Sequence, residues 1–155
     1  TLFPYTTLFR SCAVDCFTNG FNCAQAVLST YCEQLGLDKT TALKIAGSFG
    51  GGMGYIDETC GAVTGAIMLI GLKHGKVQKN DNEAKETTYR LIQEFTRRFK
   101  ALNGSVKCTD LIGYNLSKAD ELQAAKEANI WYKVCTKFVK DSAEIVEELL
   151  DINTN

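Results

Sequence analysis

The stretch Thr59–Gly75, TCGAVTGAIMLIGLKHG, decides how this chain folds. Thr59 reads as an N-cap, and a helix opening at Cys60 runs on to Gly75. Gly61, Ala62, Gly65 and Ala66 recur at helical spacing with no bulky side chain among them, so a neighbouring helix can pack at close range. The apolar run Ala62–Leu72 is interrupted by glycine and is too short to cross a bilayer. A helix of this kind belongs inside a helical bundle.

The rest of the chain reads the same way. Downstream, Lys79–Asn82 is a solvated link, and the next helix sets Ala84, Thr88, Leu91, Ile92, Phe95, Phe99 and Leu102 on one stripe until Gly104 stops it. A helical turn follows over Cys108–Gly113. One long last helix, Lys118–Leu150, aligns Trp131, Val134, Cys135, Phe138, Ser142, Ile145 and Leu149. Upstream, Gly47–Gly54 (GSFGGGMG) is a glycine-dense turn, and Asp38 caps a helix carrying Ala42, Leu43, Ile45 and Ala46. Before that, Asn22 and Gln25 form a capping box for a helix reaching about Leu35, and Cys12–Thr18 is a short first helix. No alternating run supports a strand. The expected architecture is all-α: a single-domain bundle of about five to seven helices.

With 155 residues, 45% of them hydrophobic, one core is affordable, and no repeat or linker suggests a second domain. Acids and bases are interspersed at a net charge of −1, so nothing favours nucleic acid or an anionic membrane. The opening residues lack a positive start and a continuous apolar region, which makes a poor signal peptide, and a cytoplasmic location is the expectation. Thr1–Ser11, TLFPYTTLFRS, adds nothing to the helical pattern. It corresponds codon for codon to a common short-read sequencing adapter in translation, so residues 1–11 are expected to be non-native and 12–155 to form the domain. Without Arg10 the net charge becomes −2.

Seven cysteines without a secretory signal are the anomaly: Cys12, Cys16, Cys23, Cys32, Cys60, Cys108 and Cys135. An odd count argues against a disulfide framework, and the absence of any C-x-x-C excludes the usual zinc, thioredoxin and ferredoxin patterns. Cys23 and Cys60 each follow a cap, which places both at a first helical position. There, free N–H groups and the helix dipole lower a thiol's pKa from its usual ~8.5 and suit sulfur ligands of a metal. Gly61 keeps the start of the Cys60 helix uncrowded, and the Gly47–Gly54 turn can bring further amides towards that sulfur. Cys12 and Cys16 lie four apart on one face; they and Cys32 read as filler or packing.

Four segments then carry a resemblance: GFNCAQAVL (20–28), GSFGGGMGYIDETCGAVTGAIMLIGLKHG (47–75), GSVKCTDLIG (104–113) and WYKVCTKFV (131–139). Together they resemble the C-GCAxxG-C-C family, prokaryotic helical proteins to which redox activity is ascribed, with CGAVTG (60–65) standing for the central motif. The resemblance identifies Cys23, Cys60, Cys108 and Cys135 as the set that would serve as redox thiols or ligate a metal, with Gly61 beside it. An iron–sulfur cluster is the first expectation and zinc the alternative, since four cysteines serve both. Thiols cycling through disulfides are the third option. The expected function is electron transfer, in the manner of an oxidoreductase; a metal-holding or metal-delivering module and an inert helical scaffold are the competitors. A similar domain accompanies haem segments in split-Soret cytochromes, but without C-x-x-C-H no covalent haem is expected here. The redox partner is unknown, and the small-residue helix faces leave room for a homodimer.

Other features are read more plainly. GSFGGGMG lacks the lysine and the preceding strand of a phosphate loop, so no nucleotide is expected. His74, the single histidine, suits the C-terminal dipole of its helix better than a metal. Asp57 and Glu58 are expected to be solvated turn carboxylates rather than proton relays, and Met53 and Tyr55 suit a cofactor cover and core packing equally.

Overall fold

The computed structural model describes residues 4–152, with side chains from Phe9 onward. Thr1–Phe3, part of the opening stretch read as adapter, lie outside the described residues. The elements in order are α1 (Pro4–Thr18), α2 (Cys23–Tyr31), a 3₁₀ turn (Glu33–Leu35), α3 (Lys39–Ala46), α4 (Gly50–Tyr55), α5 (Gly61–His74), α6 (Asn82–Asn103), α7 (Cys108–Ile112), α8 (Ala119–Glu127), a π-helical turn (Trp131–Cys135) and α9 (Thr136–Leu150). The fold is all-α and single-domain. It has more helices than expected, because α4 is helical and the long last helix is divided. Among the described residues no helix is long and apolar enough to cross a membrane.

The packing of α5 against α2 organises the core. A side chain at Gly65 would stand 2.9 Å from the Ala24 carbonyl oxygen and 3.1 Å from Val27, so only glycine permits this approach. α6 and α9 close on the other sides of α5, and α1 lies on α2 and α9. Tyr31, Leu28, Leu69, Ile70, Phe95, Phe99 and Leu150 are fully enclosed. Leu102, at the end of the α6 stripe, is exposed instead.

Three boundaries differ from the sequence reading for identifiable reasons. Asn129 adopts a positive φ of 51° after α8, and this interrupts the segment read as one helix. The chain resumes in the π-helical turn that carries Cys135. α5 begins one residue later than expected, because Cys60 is itself the N-cap, with φ −55° and ψ 135°. α1 begins at Pro4 rather than Cys12. Phe9 packs its ring 5.9 Å from that of Tyr31, and Arg10 pairs with Glu147 at 3.0 Å and Glu144 at 3.3 Å.

One short pairing matters for the site. Thr59 and Lys107 form an isolated antiparallel bridge. The Cys60 amide donates to the Val106 carbonyl at 2.8 Å and the Cys108 amide to the Glu58 carbonyl at 3.0 Å. Two cysteines distant in sequence are thereby fixed side by side.

Candidate functional site

Cys23 is the first residue of α2, directly after its cap. Asn22 accepts from the Gln25 amide at 2.8 Å and its own amide donates to the Gln25 side chain at 2.9 Å, completing the capping box. The cap leaves the first amides of α2 free, and those of Cys23 and Ala24 point at the Cys23 sulfur together with the amide of Gly51. The Cys60 thiol also donates to it. This hydrogen bond is the largest influence; with the amides it outweighs burial and lowers the Cys23 pKa to about 7. The glycine turn thus does send an amide to a sulfur, but to Cys23 rather than Cys60.

Cys60 behaves oppositely. Its thiol is held well above the ordinary range, first because it is the donor to Cys23 and then by burial and the charge of Cys23. The expectation that both helix starts acidify their thiols meets opposite directions: Cys23 is lowered and Cys60 is raised. Cys108, the first residue of α7, is pushed up to about 12 by burial, then by the charges of Cys23 and Asp57. Cys135 is raised by burial, then by Cys23 and Cys108. All four are buried, and Cys60, Cys108 and Cys135 each feel the charge of Cys23.

Glycines set this spacing. A side chain at Gly61 would stand 2.6 Å from the Cys23 sulfur and 3.0 Å from both the Ala24 nitrogen and the Phe49 oxygen. At Gly52 it would meet the Cys108 β-carbon at 2.8 Å. Gly52 belongs to the least expected element of the molecule. From Gly51 to Tyr55 the backbone holds φ between 64° and 72°, one complete left-handed turn that includes the non-glycine residues Met53 and Tyr55. Left-handed helix costs an L-residue roughly 1–2 kcal/mol, so the surroundings must hold this turn in place.

Beside the turn lies a pocket of about 670 Å³. Cys23 is the cysteine in its wall; Phe17, Phe21, Tyr55, Trp131 and Tyr132 supply the aromatic lining. The sequence reading missed this pocket. It set Trp131 on one helix face and left Tyr55 between covering a cofactor and packing in the core; Tyr55 is 42% exposed at the pocket. Only the glycine cluster signalled anything unusual nearby.

The remaining candidates fall elsewhere. Asp57 accepts from the Thr109 hydroxyl and pairs with Lys107 at 3.5 Å, a fixed carboxylate with a lowered pKa rather than a solvated one. Glu58 contributes its backbone to the bridge. Burial and the charges of Lys73 and Arg90 lower the pKa of His74, which weakens its expected role as a cation at the end of α5. Cys12 is exposed, and Cys16 lies 3.7 Å from the Ser29 hydroxyl. Cys32 is fully enclosed, with its sulfur towards the Ser29 carbonyl at 3.6 Å.

The donor chemistry, four thiols with amides aimed at sulfur, is that of a cluster or zinc site. The spacing is not: among the described residues no three His, Cys, Asp or Glu side chains are grouped so as to hold a metal ion. The arrangement in place is two neighbouring thiols, Cys23 and Cys60, with the buried Cys108 and Cys135 close enough to feel the charge of Cys23.

A family model described as "Putative redox-active protein (C_GCAxxG_C_C)" matches residues 21–149. No curated protein and no solved structure matches the chain.

Proposed function

The chain belongs to the C_GCAxxG_C_C family, and from that premise we propose that it is a dithiol redox protein in which Cys23 attacks and Cys60 resolves. The observation that carries this reading is where the two cysteines stand: Cys23 lies in the pocket wall, whereas Cys60 is buried and is not among the lining residues. The Cys23 thiolate attacks one sulfur of a substrate disulfide, forms a mixed disulfide and expels the first substrate thiolate, which takes up the Cys60 proton. The Cys60 thiolate then attacks the Cys23 sulfur and expels the second substrate thiolate, which takes a proton from water. Two electrons pass to the substrate, and a Cys23–Cys60 disulfide remains. Cys108 and Cys135, protonated at neutral pH, are the adjoining thiols to which oxidation can be handed on.

A second reading, a metal-holding centre, draws on the same four thiols and is favoured by the amides directed at Cys23 and Cys60. It requires the sulfurs to move into ligating positions. Anaerobic purification followed by iron, zinc and acid-labile sulfide analysis separates the two. The dithiol reading expects a colourless protein that forms a Cys23–Cys60 disulfide on mild oxidation, located by peptide mass spectrometry. Stoichiometric iron with sulfide, or zinc, lost in Cys60→Ser would overturn it in favour of the metal centre.

A further inference from the structure

We infer that the pocket beside Cys23 selects small uncharged disulfides with aromatic or other apolar substituents and rejects anionic ones. This rests on the dithiol reading above and specifies its substrate class.

Three observations carry it. None of the fourteen lining residues is cationic and the Cys23 thiolate adds a negative charge, so the pocket holds nothing to pair with a carboxylate. A carboxylate entering it would lose water without gaining a partner, which is costly in a confined site. Five aromatic side chains line it, and three are partly presented to solvent: Phe21 and Tyr55 are each 42% exposed and Tyr132 is 66% exposed. Aromatic faces at a pocket mouth favour stacking of a flat, neutral ring. Finally, Thr18 and Asn22 direct side-chain polarity to other groups of the protein. Thr18 donates to the Asp15 carbonyl, while Asn22 serves the Gln25 cap and donates to the Gly47 carbonyl at 3.2 Å. The volume of about 670 Å³ lies within the range of small-molecule sites. Cys23 thus stands at the wall of a chamber built for apolar contact, and the disulfide that reaches it is reduced to two thiols as written above.

The experiment uses the full chain and follows the release of thiol from three probes. Dithiodipyridine is neutral and aromatic, dithiobis(nitrobenzoate) is aromatic but dianionic, and oxidised glutathione is anionic without rings. Each rate is divided by that of free cysteine at the same pH, which removes intrinsic reactivity. The neutral aromatic probe is expected to be favoured over both anionic ones by roughly a hundredfold or more. Phe21→Ala and Tyr132→Ala remove exposed rings without opening the core, and together they should lower that preference roughly tenfold. Tyr132→Lys adds a cation at the mouth and should accelerate the dianionic probe selectively. Normalised rates that are equal for all three probes, or a dianionic probe indifferent to Tyr132→Lys, would overturn the inference.

Trapping in Cys60→Ser tests the underlying reading on its own. A mixed disulfide located on Cys23 upholds it whatever the selectivity proves to be, and modification elsewhere with Cys23 untouched overturns both.

Discussion

Cys23 owes its acidity to neighbours that can be removed one at a time, and Cys60 is the largest of them. Cys60→Ala deletes the donor while the burial that raises the Cys23 pKa stays. A thiol reacts as its thiolate, whose fraction rises with pH through the pKa, so losing the donor moves the midpoint of alkylation upward from about 7. Towards the ordinary value of ~8.5, this slows reaction with iodoacetamide at pH 6 about thirtyfold. An unchanged midpoint would remove Cys60 from the explanation. Gly61→Ala acts through space rather than charge. Its added methyl would meet the Cys23 sulfur and two backbone atoms that cannot swing aside. The expected cost is about 1–3 kcal/mol in denaturant unfolding, with slower Cys23 alkylation. Equal stability and reactivity would mean that α2 and α5 separate freely.

Among the elements, the left-handed turn α4 departs furthest from ordinary propensity. Its glycines adopt positive φ without penalty, but Met53, at φ 67°, does not. Met53→Gly should therefore stabilise the protein by about 1 kcal/mol in denaturant unfolding, and a loss would show that the side chain's contacts outweigh the strain. The same turn shows why some elements were legible in the sequence and others were not. Asn22 and Gln25 form their cap through local chemistry that three residues' spacing reveals, and both hydrogen bonds are present. Asp38 and Gly104 mark helix ends for similarly local reasons. The hand of α4 is not local information, because Met53 and Tyr55 by themselves favour negative φ and only packing reverses them. The division between α8 and α9 is unmarked by glycine or proline; it rests on one positive φ at Asn129, a residue that tolerates the left-handed region and ends helices, which is a weaker signal than glycine.

At the scale of the whole molecule, the site is assembled from α2, α5, α7 and the π-helical turn, which no single segment announces. The order and context of the cysteines pointed to the set of four. Their unequal acidity depends on burial and on one another, and the placing of Cys60 beside Cys108 depends on the Thr59–Lys107 bridge; these are products of the fold. Oxidation should be felt throughout the bundle. A Cys23–Cys60 disulfide would tie α2 to α5 and close a loop worth about 4 kcal/mol in chain entropy. The oxidised protein should melt on the order of 10 °C above the reduced one by scanning calorimetry, and melting at or below the reduced form would argue against this pair. The amide of Gly51 has a wider consequence, because it serves the Cys23 sulfur while Gly51 itself stands in the pocket wall. Whatever fills the chamber also displaces water from the thiolate and so favours the protonated form. An inert aromatic compound with no ionisable group should then draw a proton into the protein as it binds, holding more tightly below neutrality than above it. Calorimetry in buffers of different ionisation heat would register that uptake, and an affinity flat across neutral pH would show that chamber and thiolate do not communicate.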